Sequence, residues 1–199
     1  MEADWAAEIG PGLPSIDVPW EGFVDLRENL SVVDAIPEAA LCPALSSVLC
    51  VLNSRDSPVF TSKCDRWVLE DEAIDPDEFA APASEVQIAV ACYIDILQRD
   101  PVRLVSFEFH ESWVRQLTAS LRNIPVTHGR VDLVLRQATV DQYTGFGVTL
   151  YIAGCGADAS AAETAWQAVL AAAIPATIKS AEELRKHGRV AQLDRAPTF

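Results

Sequence analysis

Residues 86–97 read VQIAVACYIDIL and carry the clearest strand pattern of the chain. Apolar side chains alternate there without a break, at Val86, Ile88, Val90, Cys92, Ile94 and Ile96. Because successive side chains of a strand point to opposite faces of a sheet, this alternation predicts a strand with one wholly apolar face. Such a face has to be covered, so the stretch predicts a sheet with helices packed against it.

A strand-strand-helix order follows from the same kind of pattern in residues 59–124 and again in residues 130–174. In each copy a tryptophan, Trp113 or Trp166, lies in the apolar stripe of the helix. A unit of this kind cannot bury its apolar face alone, so we expect the two copies to pack together. The order predicts a two-layer α+β domain with a mainly antiparallel sheet of four to five strands, helices on one face and an extra N-terminal helix.

The individual elements follow from periodicity, capping residues and prolines. Strands are predicted at 59–69, 86–97, 102–107, 130–140 and 146–154, the last with Phe146, Val148, Leu150 and Ile152 pointing inward. Helices are predicted at 34–53, 109–124 and 160–174. The third begins with a capping box, Ser160 to Glu163, and is interrupted by Pro175, after which a short helix from Ser180 ends at Gly188.

Residues 1–30 contain Pro11, Pro14 and Pro19, which argue against a regular element. Several aromatic residues in this stretch favour an extended arm that lies on the rest of the fold, with a mobile tail as the alternative. Residues 31–188 are predicted to form one α+β domain, since the chain of 199 residues is long enough for a single core.

The chain is strongly acidic, with 29 Asp and Glu against 15 Lys and Arg and a formal net charge of −14. A field of this sign repels phosphate backbones and anionic lipid surfaces. The composition therefore predicts no binding to nucleic acid or membranes and favours a basic or neutral protein partner. The exception to this expectation would be a protein whose acidity itself imitates DNA.

The N-terminal residues and the cysteines predict a cytoplasmic protein. The first residues, MEADWAAE, are acidic where a secretory signal needs cations, and no apolar run is long enough to span a membrane. Five cysteines are an odd number without a C-x-x-C spacing, which favours reduced thiols over disulfides or zinc. The acidic linker at 70–85 lacks the spacing of a calcium loop, so no metal or cofactor is predicted.

The C-terminal residues 188–197, GRVAQLDRAP, have no periodicity. They resemble the peptide that arises when the D-arm region of a bacterial transfer-RNA gene is translated. The resemblance implies a reading frame that runs into such a gene, with residues 189–199 forming a disordered tail that was not selected for folding.

The far side of the predicted sheet carries Tyr93 and Tyr151 among small and polar residues. This face is too apolar for a freely solvated surface and too polar for a deep core, so we expect something to cover it. The cover is either part of the same chain, namely helix 34–53 or the aromatic arm, or a partner or second copy of the protein.

His110 and Cys155 are the candidate catalytic groups of the sequence. His110 opens a helix and resembles a general base in position, but no nucleophile motif accompanies it. Cys155 lies between two glycines before a helix, where the helix N-terminus stabilises a thiolate, although a strand end that turns into a helix through flexible glycines is the favoured explanation. A structural role is favoured for both residues, and no catalytic residue is assigned.

The order helix, three strands, helix, two strands, helix in residues 34–174, together with the acidity, is similar to that of type III secretion chaperones. The resemblance implies a non-enzymatic domain that holds an extended or amphipathic segment of a partner, here against Tyr93 and Tyr151. Two alternatives stay open. One is an acidic immunity, antirestriction or DNA-mimic protein of a mobile element, and the other is a small enzyme that uses Cys155 or His110.

Overall fold

The computed structural model describes the backbone of residues 1–70 and 74–193 and the side chains of residues 1–70 and 74–184. Its sheet consists of β1 Glu2–Glu8, β2 Ile16–Val18, β3 Val59–Glu70, β4 Ile88–Gln98, β5 Gly129–Val140 and β6 Tyr143–Gly156. The helices are α1 Pro37–Ala40, α2 Pro43–Asn53, α3 Pro101–Leu104, α4 Phe107–Arg122 and α5 Ala159–Leu193. Short 3-10 helices lie at Leu30–Ala35, Pro76–Phe79 and Ala83–Glu85.

The sheet has six strands in the order β1-β5-β6-β4-β3, and β2 pairs with β5 as well. The pairs β3–β4, β4–β6 and β5–β6 are antiparallel, whereas β1 and β2 run parallel to β5. The α+β class is therefore confirmed. Four of the five predicted strands are present, and the two N-terminal strands, which were not predicted, raise the number to six and make the sheet mixed.

The main core lies between one face of the sheet, the inner face, and helices α2, α4 and α5. The alternating residues of β4 that were predicted to face inward, including Val90, Cys92, Ile94 and Ile96, are buried there, as are Val148, Leu150 and Ile152 of β6. Trp113 of α4 and Trp166 of α5 are fully buried in the same cluster. The predicted strand at 86–97 and the hairpin strands are thus confirmed with shifts of one to three residues at their ends.

The N-terminal region differs from the predicted arm, because residues 2–8 and 16–18 are strands. β1 ends before Pro11 and β2 lies between Pro14 and Pro19, so neither strand contains a proline. Long-range contacts hold β1 in place: Arg122 Nε donates to the Ala3 carbonyl at 2.7 Å, and the Met1 amine donates to the Ile124 carbonyl at 2.7 Å. Since Ala, Glu and Asp are poor strand formers, the local sequence gave no strand signal.

Residues 102–107 do not form the predicted strand. Asp100 caps α3 by accepting a hydrogen bond from Val102 N at 3.0 Å, and Pro101 fits the first helical turn. Ser106 then caps α4, its Oγ accepting from Phe109 N at 3.1 Å. Two helix N-caps in a row convert this apolar stretch into a turn of helix followed by a long helix.

Helix α5 continues through Pro175 instead of stopping before it. Pro175 and Ala171 are both exposed, so the Ala171 carbonyl, which loses its hydrogen bond to a proline nitrogen, lies on the side of the helix that faces water. The N-cap is Asp158, whose Oδ1 accepts from Ala161 N at 2.8 Å, and not the predicted Ser160. The helix includes Gly188 and is described as far as Leu193, so part of the predicted tail 189–199 is helical, and residues 194–199 lie outside the described residues.

The helix predicted at 34–53 is divided into α1 and α2, and two strands precede it in the chain. An N-terminal helix is therefore not confirmed. The order β3-β4-α4 followed by β5-β6-α5 is present, but an order of elements alone does not establish a duplication, which stays a prediction.

The burial of Trp166 predicts that Trp166→Ala lowers the free energy of unfolding by about 3–5 kcal/mol, because the large side chain leaves a cavity that its neighbours cannot fill. Urea denaturation followed by circular dichroism measures the loss. Leu41→Ala is the matched control, since the Leu41 side chain is 88% exposed and its removal should change stability little. Equal midpoints for the two variants would contradict this placement of Trp166.

Candidate functional site

The face of the sheet opposite the helices, the outer face, carries both predicted binding residues, Tyr93 of β4 and Tyr151 of β6. β2 crosses one end of this face: Ile16 and Val18 pack with Phe60 and Leu97, and Ser62 Oγ donates to the Asp17 carbonyl at 3.4 Å. The predicted cover by the N-terminal region is thus present, but only at this end. Helix 34–53 was the other predicted cover, and its counterpart α2 lies on the inner face.

The acidic linker covers the opposite end of the outer face. Its apolar residues Phe79 and Val86 pack against Ala89 of β4 and Cys155 of β6. His128 fixes the end of this segment through a 2.8 Å contact between its Nε2 and Glu85 Oε2. The linker is therefore a folded cover in its described part, and residues 71–73 lie outside the described residues.

An aromatic row lies on the outer face between these two covers and consists of Trp67, Tyr93 and Tyr151. The ring centroids of Trp67 and Tyr93 are 6.3 Å apart, and those of Tyr93 and Tyr151 are 6.0 Å apart. All three side chains are half-buried. The structure thus brings the two predicted tyrosines into direct contact and adds Trp67, which alternates in β3 as they do in β4 and β6 but was not singled out from the sequence.

Two cations beside the aromatic row, Arg136 and Arg130, already have partners within the chain. Arg136 Nη2 donates to the Tyr151 hydroxyl and to Glu8 Oε2, each at 3.1 Å. Arg130 Nε donates to Asp132 Oδ2 at 2.6 Å. Asp65, which lies opposite Tyr93 on β3, is exposed, and its carboxylate accepts only from the neighbouring Arg66 N among the contacts of the described residues. Asp65 therefore places a negative charge next to the row that has no ion pair among the described residues.

Asp95 is a buried acid on the same face, two residues from Tyr93, with 6% of its surface exposed. Thr149 Oγ1 donates to its Oδ1 at 2.6 Å. Burial raises the pKa of the Asp95 carboxyl, while Thr149, Arg136 and Lys63 act in the opposite direction. Burial likewise raises the pKa of Tyr93 to about 12, assisted by the negative charges of Asp95 and Asp65. A cation that approaches this part of the row would relieve an unfavourable buried charge.

A cavity of about 560 Å³, the edge cavity, opens where Tyr93 meets β3. Its wall is largely apolar, and its polar lining includes Lys63 and Asp65. A smaller cavity of about 230 Å³ lies at the linker end of the row, next to Trp67 and Tyr151. The edge cavity has the size of a typical ligand pocket, and it draws on residues from separate parts of the chain, so it had no signal in the sequence.

Cys155 is placed for packing and not for nucleophilic chemistry. The residue is 1% exposed and packs with Phe79 and Val86 under the linker. Burial raises the pKa of its thiol to about 11, which leaves the thiolate scarce at neutral pH. The helix N-terminus next to it, which could have stabilised a thiolate, does not reverse this effect.

His110 is fully buried in the inner core among Phe109, Trp113 and Phe146. Its Nδ1 lies 2.8 Å from the Ser106 carbonyl, so we assign the proton to Nδ1, and Nε2 has no partner among the described residues. Burial lowers the pKa of the imidazole to about 4, against a smaller opposite effect of the Ser106 carbonyl. The two catalytic candidates lie on opposite faces of the sheet and are not brought together.

Comparisons with known protein families, with curated proteins and with solved structures found no match for this chain. The resemblance to type III secretion chaperones therefore rests on the order of elements, and that order includes a strand at 102–107 that is absent. Within the described residues no helix is long and apolar enough to cross a membrane. No group of three or more His, Cys, Asp or Glu side chains in that part of the chain is arranged to hold a metal ion.

The buried Asp95 carboxyl predicts that Asp95→Asn raises the melting temperature at pH 7 by several degrees. The amide removes a charge that burial disfavours, and its Oδ1 still accepts from Thr149. Because the folded-state pKa is raised, the penalty is absent below the ordinary pKa of the carboxyl, so the gain should vanish at pH 3. Asp65→Asn, at an exposed position, is the control and should leave both melting temperatures unchanged.

The buried His110 predicts a loss of stability in acid. Its folded-state pKa lies below the ordinary value of 6.5, so the unfolded chain binds a proton that the folded chain lacks. This difference should cost about 3 kcal/mol between pH 7 and pH 4. His110→Phe, which suits the aromatic surroundings, should lose that component in urea denaturation at the two pH values, whereas His128→Phe should retain it.

Proposed function

We propose that this protein is a non-enzymatic protein-binding domain of the bacterial cytoplasm and that the outer face holds a segment of its partner. The observation that carries the proposal is the half-buried aromatic row between the two covered ends of the outer face. Aromatic rings that remain partly exposed are common anchors of protein interfaces. In this proposal Tyr93 and Tyr151 contact the partner directly, and Trp67 extends the same surface.

The charges around the aromatic row favour a basic partner. The net charge of the chain is −14, and Arg130 and Arg136 are held by ion pairs within the chain. Asp65 is exposed, and the buried Asp95 gains from a nearby cation. A Lys or Arg side chain on the row would combine an ion pair with a cation–π contact to Trp67 or Tyr93.

The placement of Cys155 and His110 speaks against the enzyme alternative. A thiol with a raised pKa is a poor nucleophile, and an imidazole with a pKa of about 4 is not poised to exchange protons at neutral pH. The five cysteines are unpaired, which supports a reducing compartment.

An acidic immunity, antirestriction or DNA-mimic protein is the second candidate. It is favoured by the exposed acids of the linker, Asp75, Asp77, Glu78 and Glu85, which form a negatively charged surface next to the row. A mimic of this kind also binds a basic partner, but through its carboxylates and with a steep dependence on salt. The two candidates therefore differ in which residues carry the affinity.

The aromatic row predicts that Tyr93→Ser and Tyr151→Ser each remove a partner that the wild-type protein captures, because each substitution deletes an anchor ring. The measurement is quantitative mass spectrometry of proteins bound from a lysate of the native organism. Tyr143→Ser is the matched control: Tyr143 is the third tyrosine of the chain, is 41% exposed and lies outside the row.

Melting curves establish that all three variants fold. Partner lists that are the same for the wild type and all variants would refute a role for the row. A partner that survives the tyrosine substitutions but is lost when Asp75, Asp77 and Glu78 are replaced by the corresponding amides would favour the DNA-mimic candidate.

A further inference from the structure

β3 is the edge strand of the sheet, and its second half presents an open backbone edge. In residues 64–70 the strand pairs with β4 on one side only. The Arg66 N–H donates to Oδ1 of the neighbouring Asp65 at 2.7 Å, so this N–H points away from β4. Because backbone directions alternate along a strand, the Val68 N–H faces the same open side, where the described residues offer it no acceptor.

The first half of β3 is protected in a way that the second half is not. Asn53 Oδ1 accepts from Thr61 N at 3.0 Å, and Arg99 Nε donates to the Val59 carbonyl at 3.0 Å. The protection ends at the irregularity between Thr61 and Cys64, where the register against β4 shifts. The open edge is therefore confined to residues 64–70 and begins at a structural boundary.

The edge cavity lies at that boundary. Ser62, Lys63, Cys64 and Asp65 of β3 all line it, together with Tyr93 of the aromatic row. Its apolar wall includes side chains from the N-terminal region and from α2, such as Val24 and Leu49. A segment that ran along the open edge toward residue 64 would thus arrive at a pocket large enough for an apolar side chain.

The charge along this edge fits a basic segment. Asp65 and Glu70 are exposed on β3, and Glu38 lines the edge cavity. Of the nearby cations, Arg66 is paired with Glu163 of α5, and the Lys63 ammonium lies 5.2 Å from the centre of the Trp20 ring. The Val68 side chain, which lies between Asp65 and Glu70 in the strand, is 50% exposed and adds an apolar contact.

We propose that an extended basic segment of a partner protein adds a strand to residues 64–70 of β3 and inserts one apolar side chain into the edge cavity. The inference deepens the proposed function and rests on it in that the partner is a protein. Backbone hydrogen bonds to the edge supply affinity, while alternate side chains of the added strand contact Trp67 and Leu69 on the outer face. The cavity selects the anchor residue and fixes the register.

The probe is a display library of random peptides of roughly 12 residues, long enough to span the open edge at about 3.3 Å per residue. Selection on the wild-type protein should enrich peptides in which Lys or Arg alternates around one large apolar residue. The Kd of an enriched peptide is then measured by fluorescence anisotropy. Bound peptide should slow hydrogen exchange of the Val68 amide.

Two pairs of variants test the two parts of the site. Val68→Pro removes the outward N–H and should raise Kd about tenfold, whereas Val68→Thr keeps the N–H and should bind as the wild type does. Ala35 is exposed and lines the edge cavity, so Ala35→Trp should occupy part of the cavity and also raise Kd about tenfold. Its control, Ala40→Trp, lies at an exposed position that does not line the cavity.

Tyr151→Ser separates the failure of this inference from the failure of the proposed function. Binding that depends on Tyr151 but not on Val68 or Ala35 overturns the added strand and leaves the aromatic row as the site. Binding that depends on Val68 and Ala35 but not on Tyr151 supports the added strand and removes the row from the site. Failure to enrich any peptide, or enrichment of peptides without basic residues, overturns the inference.

Discussion

The close contact between α5 and β6 is the constraint on which the rest of the structure depends. A Cβ atom on Gly154 would lie 2.5 Å from the Trp166 Cα, and one on Gly156 would lie 2.6 Å from Ala162 N. Real Cβ atoms do not approach other atoms so closely, so only glycine permits the backbones to meet here. The contact places Trp166 in the centre of the inner core, where α4 and α2 complete the layer.

This one-sided arrangement of helices determines what happens on the outer face. With α2, α4 and α5 all on the inner face, the described covers of the outer face lie at its two ends: β2, Phe23 and Leu104 of α3 pack at one end and the linker packs at the other. The strip between them retains partly exposed rings and the buried Asp95. A buried acid with a raised pKa lowers the stability of the folded chain, and groups of this kind cluster at functional sites.

The candidate site was predictable in part. The alternation in residues 86–97 and 146–154 is sufficient to place Tyr93 and Tyr151 on one face, since the side chains of a strand have a period of two residues. Trp67 follows the same rule in β3, so its place on this face was also predictable. The edge cavity was not predictable, because it is assembled from the N-terminal region, the turn before α1, β3 and β4.

Cys155 and His110 were the catalytic candidates of the sequence. Burial raises the pKa of the Cys155 thiol and lowers that of the His110 imidazole, which removes the reactivity that their sequence neighbours implied.

Local periods of two and 3.6 residues in the sequence are sufficient to locate most of the long strands and helices and to show which of their sides avoid water. Contacts between distant parts of the chain explain why residues 2–8 join the sheet, where Arg122 contacts Ala3 across 119 residues, and why α5 passes through Pro175. The same distant contacts set which edge of the sheet stays open. Such choices depend on partners that are distant in the chain, and a local pattern carries no record of them.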